Sequence, residues 1–451
     1  MKHFDAVIIG FGKGGKTLAS ELAKNGKSVA VIEKSTQMYG GTCINIACIP
    51  TKSLVHSSNE RQYSKTPKEE FYKKSILEKD ELTSLLRDKN FHMLDDLEKV
   101  TVITGEATFL SDEKVQVKTA NDQFEVTAEY FFINTGSTPI VPKIEGIETT
   151  DFVYNSTTLQ QVKTLPEKLI IIGGGYIGLE FASIYANFGS EVTVLDSNEV
   201  FLPNEDRDIA EEVMKSLKSK NINIEVNCKV ESVKNQDGGV VVSYNATENV
   251  HGTAVLLATG RKPATEGLGL ENTSVEVNDR GAVVVNERLK TNANNIWAIG
   301  DVNGGPQFTY ISLDDFRIIK DQLFGEGTYT TKERSNVPYS VFIDPVLSHV
   351  GLNEKQAKEK EIEYKVVSMP AAGIPRARIV KQTNGLLKAL IDPKTKSILG
   401  CTLFCADSSE MINIVRVAME AKLPYTFLKD TIFTHPSMSE SLNDLFSKVD
   451  L

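Results

Sequence analysis

The chain has 451 residues, enough for roughly three domains with cores of their own. At 41% hydrophobic and 24% charged residues it falls among ordinary globular proteins, which excludes a disordered or fibrous chain. A net charge of −10 argues against nucleic acid or an anionic membrane as partner, no apolar run is long enough to span a bilayer, and five cysteines do not make a secreted disulfide scaffold. With no signal-peptide pattern at its start, the chain is expected in the cytoplasm.

The run AVIIG, residues 6–10, is an apolar strand that ends at Gly10. Gly12 and Gly15 follow, then the helical stretch KTLASELAKNG, then a second strand, SVAVIE, ending on Glu33. Strand, glycine turn, helix and strand make a βαβ unit. Its turn lets the backbone approach a pyrophosphate at a helix N-terminus, and its terminal acid accepts from a ribose hydroxyl.

Next, GGTCINIACIPTK, residues 40–52, places Cys43 and Cys48 five residues apart. Pro50 can start a helix there, and a helix N-terminus stabilises a thiolate. On this segment alone a redox pair, a buried apolar pair and a metal site all remain open. The spacing argues against zinc, whose ligand pairs are closer together and come with a second pair that is missing here. From 56 to about 99 a charged stretch carries Leu82, Leu85 and Leu86 at helical spacing and reads as solvated helix. From 101 to 132 strands alternate with polar turns, and YFFINTG reaches Gly136 ahead of Pro139 and Pro142.

The βαβ unit then recurs. Gly10, Gly12, Gly15 and Glu33 reappear 163 positions later, without a gap, as Gly173, Gly175, Gly178 and Asp196. One glycine motif is weak, but two in register with terminal acids point to two bound dinucleotides. No Lys or Arg falls between Ser190 and Asp206 to pair with a 2′-phosphate, and Asp196 would repel one, so this site favours NADH over NADPH. The first unit leads straight into the cysteine pair, as expected if its nucleotide is FAD and the flavin lies beside the thiols. AVLLATGRKP closes the second unit near Gly260.

NIWAIGDVNGG, residues 295–305, is a buried strand entering a glycine turn with Asp301, at the strand end where α/β sheets bind ligands; capping of the next helix is the other role open to this Asp. From about 336, VPYSVFI, YKVVSMP, GLLKALID and ILGCTLFC read as antiparallel strands before the helix SSEMINIVRVAMEAK. Cys401 and Cys405 fall within one strand, too far apart for an undistorted disulfide, and with Cys228 read as packing residues. His435 precedes Pro436 and stands five residues before Glu440. An imidazole can take a thiol proton and a carboxylate can orient it, although alone the motif is also a turn.

The expected fold is α/β, with two Rossmann-like dinucleotide-binding domains and a C-terminal α+β domain. The expected division is 1–147 for the first part of an FAD-binding domain, 148–265 for an NAD(P)-binding domain, 266–335 for the second part of the FAD-binding domain, and 336–451 for an interface domain.

The motifs GFGKGG, GGTCINIACIPTK, GGGYIGLE, ATGRKP, AIGDVNGG and FTHPSMSE occur in the order found in the class I pyridine nucleotide-disulfide oxidoreductases, which the chain resembles over nearly its whole length. The resemblance implies a homodimer in which the C-terminal domain forms the interface and lends His435 to the disulfide of the other subunit. It also implies that Cys48 is the flavin-proximal thiol and Cys43 the interchange thiol that meets substrate. Lys52, paired with Glu180, is expected by the flavin; Tyr176 is expected to gate the nicotinamide pocket, Asp301 to bind the ribityl chain, and His435 with Glu440 to form an acid/base dyad.

Within that family, the absence of an N-terminal metal-binding domain and of a C-terminal cysteine pair sets the chain apart from mercuric and thioredoxin reductases. Phe433 departs from the HxHP of dihydrolipoamide dehydrogenases. The stretches MYGGTCINIACIPTK, QFTYISLDDFRII and FTHPSMSESLNDLF look most like the bacterial reactive-chlorine-resistance flavoproteins. That likeness implies NAD(P)H-dependent reduction of a small oxidant, hypothiocyanous acid, with dihydrolipoamide dehydrogenase and Cu(II) reductase as alternatives and no resident metal.

Overall fold

The computed structural model describes residues 1–450, which three large sheets organise. The first runs Val100–Thr104, Val29–Glu33, Lys2–Ile9, Gln123–Ile133, Lys114–Lys118 and Glu106–Ser111, with Ile296–Ala298 pairing to the end of Gln123–Ile133. Strands around Lys2–Ile9 are parallel. Alternation divides their residues between two cores: Val7, Ile9, Ala30 and Ile32 enter one, and Ala6, Ile8, Val29 and Val31 the other. A run with no polar position is what a strand buried on both faces requires.

The second sheet, Ile222–Glu225, Glu191–Leu195, Lys168–Ile172, Ala254–Leu257 and Val153–Asn155, is parallel throughout. The third, Tyr339–Val341, Leu347–Gly351, Ile398–Phe404, Leu386–Ile391 and Lys365–Pro370, is antiparallel and carries the helix Ser408–Glu420, which buries Met411, Ile412 and Val415. The chain is therefore α/β with two dinucleotide-binding folds and an α+β unit.

Three readings change. The strand Leu347–Gly351 was not expected, because it lies inside the sheet and buries polar residues that break any alternation; His349 is satisfied by Thr402 Oγ1 at 2.8 Å and Ser348 by Ser408 Oγ at 2.9 Å. The charged stretch after residue 56 belongs to two helices, Cys48–Arg61 and Lys68–Asp95. The second turns Tyr72, Ile76 and Lys79 inward and leaves Leu82 and Leu85 exposed, because Tyr72 OH and Lys79 Nζ find carbonyl acceptors at Val162 and Gln160. Cys405 lies one residue past the strand Ile398–Phe404, so the two cysteines do not share a strand, although both are buried.

One core joins the units around the cysteine segment. Leu54, Tyr72 and Ile76 pack with Leu179, Tyr185 and Phe188 of the helix Tyr176–Phe188, and the cluster reaches Val341 and Phe404 of the third sheet. A second tie is ionic: Lys388, buried in the third sheet, pairs with Asp206 at 3.0 Å, Asp208 at 2.9 Å and Glu354 at 2.5 Å. Lys388→Met leaves Asp206 and Asp208 without their cation and Glu354 with only Lys358, at 3.7 Å. The expected loss is about 2–3 kcal/mol, less than for a fully buried pair because Asp208 and Glu354 keep part of their hydration. A thermal melt checks this, since an unchanged Tm would show that the tie carries no stability.

Candidate active site and dinucleotide cradles

Two turns at the ends of parallel strands share one construction. Gly10 has φ +102° and Gly173 φ +114°, and a Cβ would lie 2.3 Å from Asn134 O at the first and 2.5 Å from Ala258 O at the second. No other residue fits either position. Each turn feeds a helix, Lys13–Lys24 or Tyr176–Phe188, whose first N–H groups and positive dipole end can receive a phosphate. Above Gly175 there is open space.

Acids close both turns. Glu33 Oε2 accepts from Phe11 N at 3.1 Å and Oε1 from Ser35 N at 3.2 Å, while burial pushes its carboxyl up. Asp196 Oδ1 accepts from Asn198 N at 3.2 Å and Nδ2 at 2.9 Å, but its Oδ2 is buried without a partner. A ribose hydroxyl would satisfy such an orphaned acceptor, so the residues present fit a dinucleotide. Gly15 N donates to Asn134 Oδ1 at 2.9 Å, and Gly136 and Gly260 flank the short antiparallel pair Ser137–Pro139 and Arg261–Pro263 that joins the two units.

The cysteine turn presses on the first cradle, since a Cβ on Gly41 would lie 2.7 Å from Gly12 Cα. Cys43 lies in the short helix Gly41–Asn45 and Cys48 is the first residue of Cys48–Arg61. The thiols are unbridged and within hydrogen-bonding reach of one another. The neighbouring Cys43 thiol favours ionisation of Cys48, Thr309 Oγ1 stands 3.4 Å from Cys48 Sγ, and Lys52 adds positive charge. Together these lower Cys48 to about 6 in spite of burial. The neighbouring Cys48 and burial hold the Cys43 thiol far above the usual range. The pair therefore ionises unequally, with Cys48 the more acidic thiol and Cys43 the less acidic one.

Lys52 Nζ donates to Glu180 Oε2 at 2.7 Å and lies 4.7 Å from the centre of the Phe342 ring; Phe342 N donates to Glu180 Oε1 at 2.8 Å. Tyr176 OH and Tyr339 OH both donate to Glu205 Oε1 at 2.6 Å, with their rings stacked. Asp301 accepts from Ser137 Oγ at 2.7 Å; it lies within the short 3-10 turn Gly300–Asn303 and does not cap the α-helix Thr309–Phe324, whose N-cap is Phe308. Ser137 Oγ in turn accepts from Arg261 Nε at 2.9 Å.

His435 Nδ1 lies 2.8 Å from Glu440 Oε2, and Ser437 N donates to Glu440 Oε1 at 3.1 Å. The bond to His435 holds the Glu440 carboxyl below its usual range. The imidazole is 70% exposed and makes no hydrogen bond to Cys43 or Cys48 within the chain. Cys43, Cys48, Lys52 and Glu180 thus come together, whereas His435 and Glu440 form a separate exposed pair.

Thr309, Asn134 and Glu205 were not singled out in the sequence. Thr309 is 261 residues from the thiol it contacts, so no local pattern marks it. Asn134, which also donates to Ile299 O at 3.0 Å, had one signal: a polar residue at the end of the apolar run YFFIN. Among the described residues, no group of three or more His, Cys, Asp or Glu is arranged to hold a metal ion.

Two dinucleotide folds converging on a cysteine pair define a flavin-linked disulfide reductase. The chain belongs to the pyridine nucleotide-disulphide oxidoreductase family, whose pattern matches residues 4–315 and whose dimerisation domain matches residues 337–446. It is an FAD- and NAD(P)H-dependent enzyme acting on a sulfur group. It is 52% identical over 449 residues to RclA of Escherichia coli K12, a probable pyridine nucleotide-disulfide oxidoreductase, with all of both chains covered.

Identity is 33% to a mercuric reductase of Lysinibacillus sphaericus, covering 98% of this chain and 81% of that one. It is also 33% to a dihydrolipoyl dehydrogenase of Buchnera aphidicola, covering 97% and 94%. The solved structure of the HOCl-induced flavoprotein disulfide reductase RclA from Escherichia coli superposes with a TM-score of 0.95 over 99% of this chain and 100% of that one. Its Cu(II) complex gives 0.96 over 100% of both. No helix of the described residues is long and apolar enough to cross a membrane.

Because Cys48 is held down to about 6, the thiolate absorbance of the reduced protein falls as pH drops through that value. Thr309→Val removes one hydrogen bond to the thiolate and moves the midpoint upward by about one pH unit, the equivalent of roughly 1.4 kcal/mol. A midpoint near that of a free thiol in the unaltered protein would contradict the unequal ionisation.

Proposed function

We propose that this enzyme reduces hypothiocyanous acid to thiocyanate at Cys43, in a homodimer whose His435 serves the cysteine pair of the second copy. The observation that carries this reading is the unbridged pair Cys43 and Cys48, with Thr309 Oγ1 3.4 Å from Cys48 Sγ and Lys52 of the same helix held by Glu180. The remaining cysteines, Cys228, Cys401 and Cys405, are buried and offer no relay to a larger substrate. The HOCl-induced relative supports an oxidant of the same electrophilic kind.

NAD(P)H and FAD, when bound, supply the electron pair that opens a Cys43–Cys48 disulfide. His435, oriented by Glu440, then takes the Cys43 proton. The Cys43 thiolate attacks the sulfur of hypothiocyanous acid; hydroxide leaves and receives that proton as water, and Cys43 carries a sulfenyl thiocyanate. Cys48 attacks the Cys43 sulfur, expels thiocyanate and closes the disulfide. No proton is left over. Because Cys48 begins as a thiolate, the Cys43 proton and the departing hydroxide account for the water.

In this reading Gly10, Gly12, Gly15, Glu33, Lys52 with Glu180, Gly136 and Asp301 hold FAD. Gly173, Gly175, Gly178, Asp196 and Gly260 hold the nicotinamide nucleotide, and Tyr176 covers it. The return of Ile296–Ala298 to the first sheet supports an FAD-binding domain made of 1–147 and 266–335, around an NAD(P)-binding domain, 148–265, and ahead of an interface domain, 336–451. NADH is the proposed donor, because Asp196 repels a 2′-phosphate and the next arginine along the chain, Arg207, spends its guanidinium on the carbonyls of Phe201, Leu202 and Glu205. A cytoplasmic setting suits a pair that works as free thiols.

Cu(II) reduction is the second reading, favoured by the solved Cu(II) complexes of the E. coli relative and of its C43S variant. Cys43→Ser should abolish NADH-dependent hypothiocyanous acid reduction with FAD still bound, and retained turnover would sink the scheme. Cu(II) reduction that persists unchanged in both Cys43→Ser and Cys48→Ser removes copper as a substrate of the dithiol, and rapid lipoamide turnover would instead favour a dihydrolipoyl dehydrogenase. Asp196→Asn is expected to narrow the NADH over NADPH preference in kcat/KM by on the order of tenfold, since it removes one full charge facing the 2′ position.

A further inference from the structure

Gln160 is 1% exposed and lies on the short 3-10 turn Leu159–Gln161, between the strands Val153–Asn155 and Lys168–Ile172 of the second sheet. Its place is fixed from three sides. Leu159 lies in the shared apolar core, Tyr185 OH donates to Leu159 O at 3.3 Å, and the buried Lys79 ammonium donates to Gln160 O at 2.7 Å. From this support the side-chain amide reaches the cysteine segment, 114 residues away in the chain, where Nε2 donates to Ile46 O at 3.2 Å. The same Nε2 donates to Ser156 O, while Oε1 is buried with no partner. A buried amide oxygen left unpaired is destabilising, and an apolar side chain of this size would avoid it. What the apolar side chain could not supply is the bond to Ile46.

Ile46 joins the short helix Gly41–Asn45, which bears Cys43, to the helix that Cys48 begins. Ala47 O accepts from Thr51 N at 3.0 Å, but the corresponding donor for Ile46 O would be residue 50, and Pro50 has no N–H. No backbone N–H of the described residues donates to this carbonyl. The parts on either side have anchors of their own. Ahead of it, Asn45 Nδ2 donates to Tyr39 O and Gly41 O, each at 2.9 Å, and Arg87 Nε donates to Asn45 Oδ1 at 2.8 Å. Beyond it, Lys52 is tied to Glu180. Between these anchors Gln160 holds the link from Cys43 to Cys48.

We propose that Gln160 is a positioning residue for the redox pair, its bond to Ile46 keeping the Cys43 and Cys48 sulfurs in bonding reach while no covalent bond joins them. This deepens the proposed function and rests on Cys43 and Cys48 being the pair that opens and closes. A contact shifts an equilibrium only by acting unequally on its two sides. In the disulfide the S–S bond itself confines the loop, whereas in the dithiol Gln160 does so. Loss of the amide therefore frees the dithiol form alone, which disfavours closure and lowers the effective concentration of one sulfur at the other.

The test is the dithiol–disulfide equilibrium of the FAD-loaded enzyme in dithiothreitol buffers of graded reduced-to-oxidised ratio, read by alkylation and mass spectrometry of Cys43 and Cys48. In closing, the pair passes two electrons and two protons to oxidised dithiothreitol, whose S–S bond breaks as the Cys43–Cys48 bond forms. Gln160→Met, of similar length but without the amide, should shift the equilibrium toward the dithiol by about tenfold, on the order of the backbone freedom of one residue. FAD content and Tm should stay near those of the unaltered enzyme. An unchanged equilibrium overturns the proposal, and if Tm falls at the same time Gln160 is a structural residue alone. A shift toward the disulfide overturns it as well. If Gln160→Met does not fold, Gln160→Asn, whose amide falls one methylene short of Ile46, is read the same way. Hypothiocyanous acid takes no part in this test, so its outcome stands apart from the Cys43→Ser turnover measurement. A pair that forms no disulfide in the unaltered enzyme would overturn the redox pair itself, and this proposal with it.

Discussion

The closeness of Cys43 and Cys48, which makes two like thiols ionise unequally, is the constraint on which the rest of the site depends. Two thiols in contact in half-buried surroundings ionise unequally, because the first thiolate is stabilised by its neighbour's S–H and then repels a second charge. Which sulfur becomes the anion follows from placement. Cys48 begins a helix and has Lys52 one turn away, whereas Cys43 sits in the short helix before it and is pushed up by its neighbour Cys48 and by burial. The asymmetry of role between two chemically identical residues is therefore electrostatic.

That asymmetry is held by three units at once. Glu180, which anchors Lys52, stands on a helix of the second dinucleotide fold and is completed by the backbone of Phe342 ahead of the third sheet's Leu347–Gly351 strand. Thr309 comes from the helix that follows the returning strand Ile296–Ala298. Beneath them the shared apolar core fixes the separation of the helices that carry Lys52 and Glu180. A displacement of any unit by an ångström would change the hydrogen bonds at Cys48 and with them its acidity.

The exposed pair His435 and Glu440 fits the same logic. Within one chain Cys43 has no base to take its proton, while an oriented imidazole faces solvent on a domain that the family uses to dimerise. A symmetric dimer brings such a surface residue to an equivalent place on its partner.

Much of this was written in local sequence. Apolar strands ended by glycines, an acid after each, and the repetition at one offset follow from backbone sterics and strand burial, which act over a few residues; the two cysteines and the proline in the first turn of the Cys48 helix are equally local. The internal strand Leu347–Gly351 was hidden, since its polar residues are satisfied by partners on other strands and helices. The inward face of Lys68–Asp95 was hidden for the same reason, being chosen by carbonyls at Val162 and Gln160 and not by its leucines. By itself the sequence determined the two dinucleotide turns and the presence of a thiol pair beside the first. Only the tertiary structure decided that Thr309 stands against Cys48, and that His435 and Glu440 form a pair apart from the thiols within one chain. Those outcomes depend on distances between groups as far apart in the chain as Cys48 and Thr309, which no local pattern encodes.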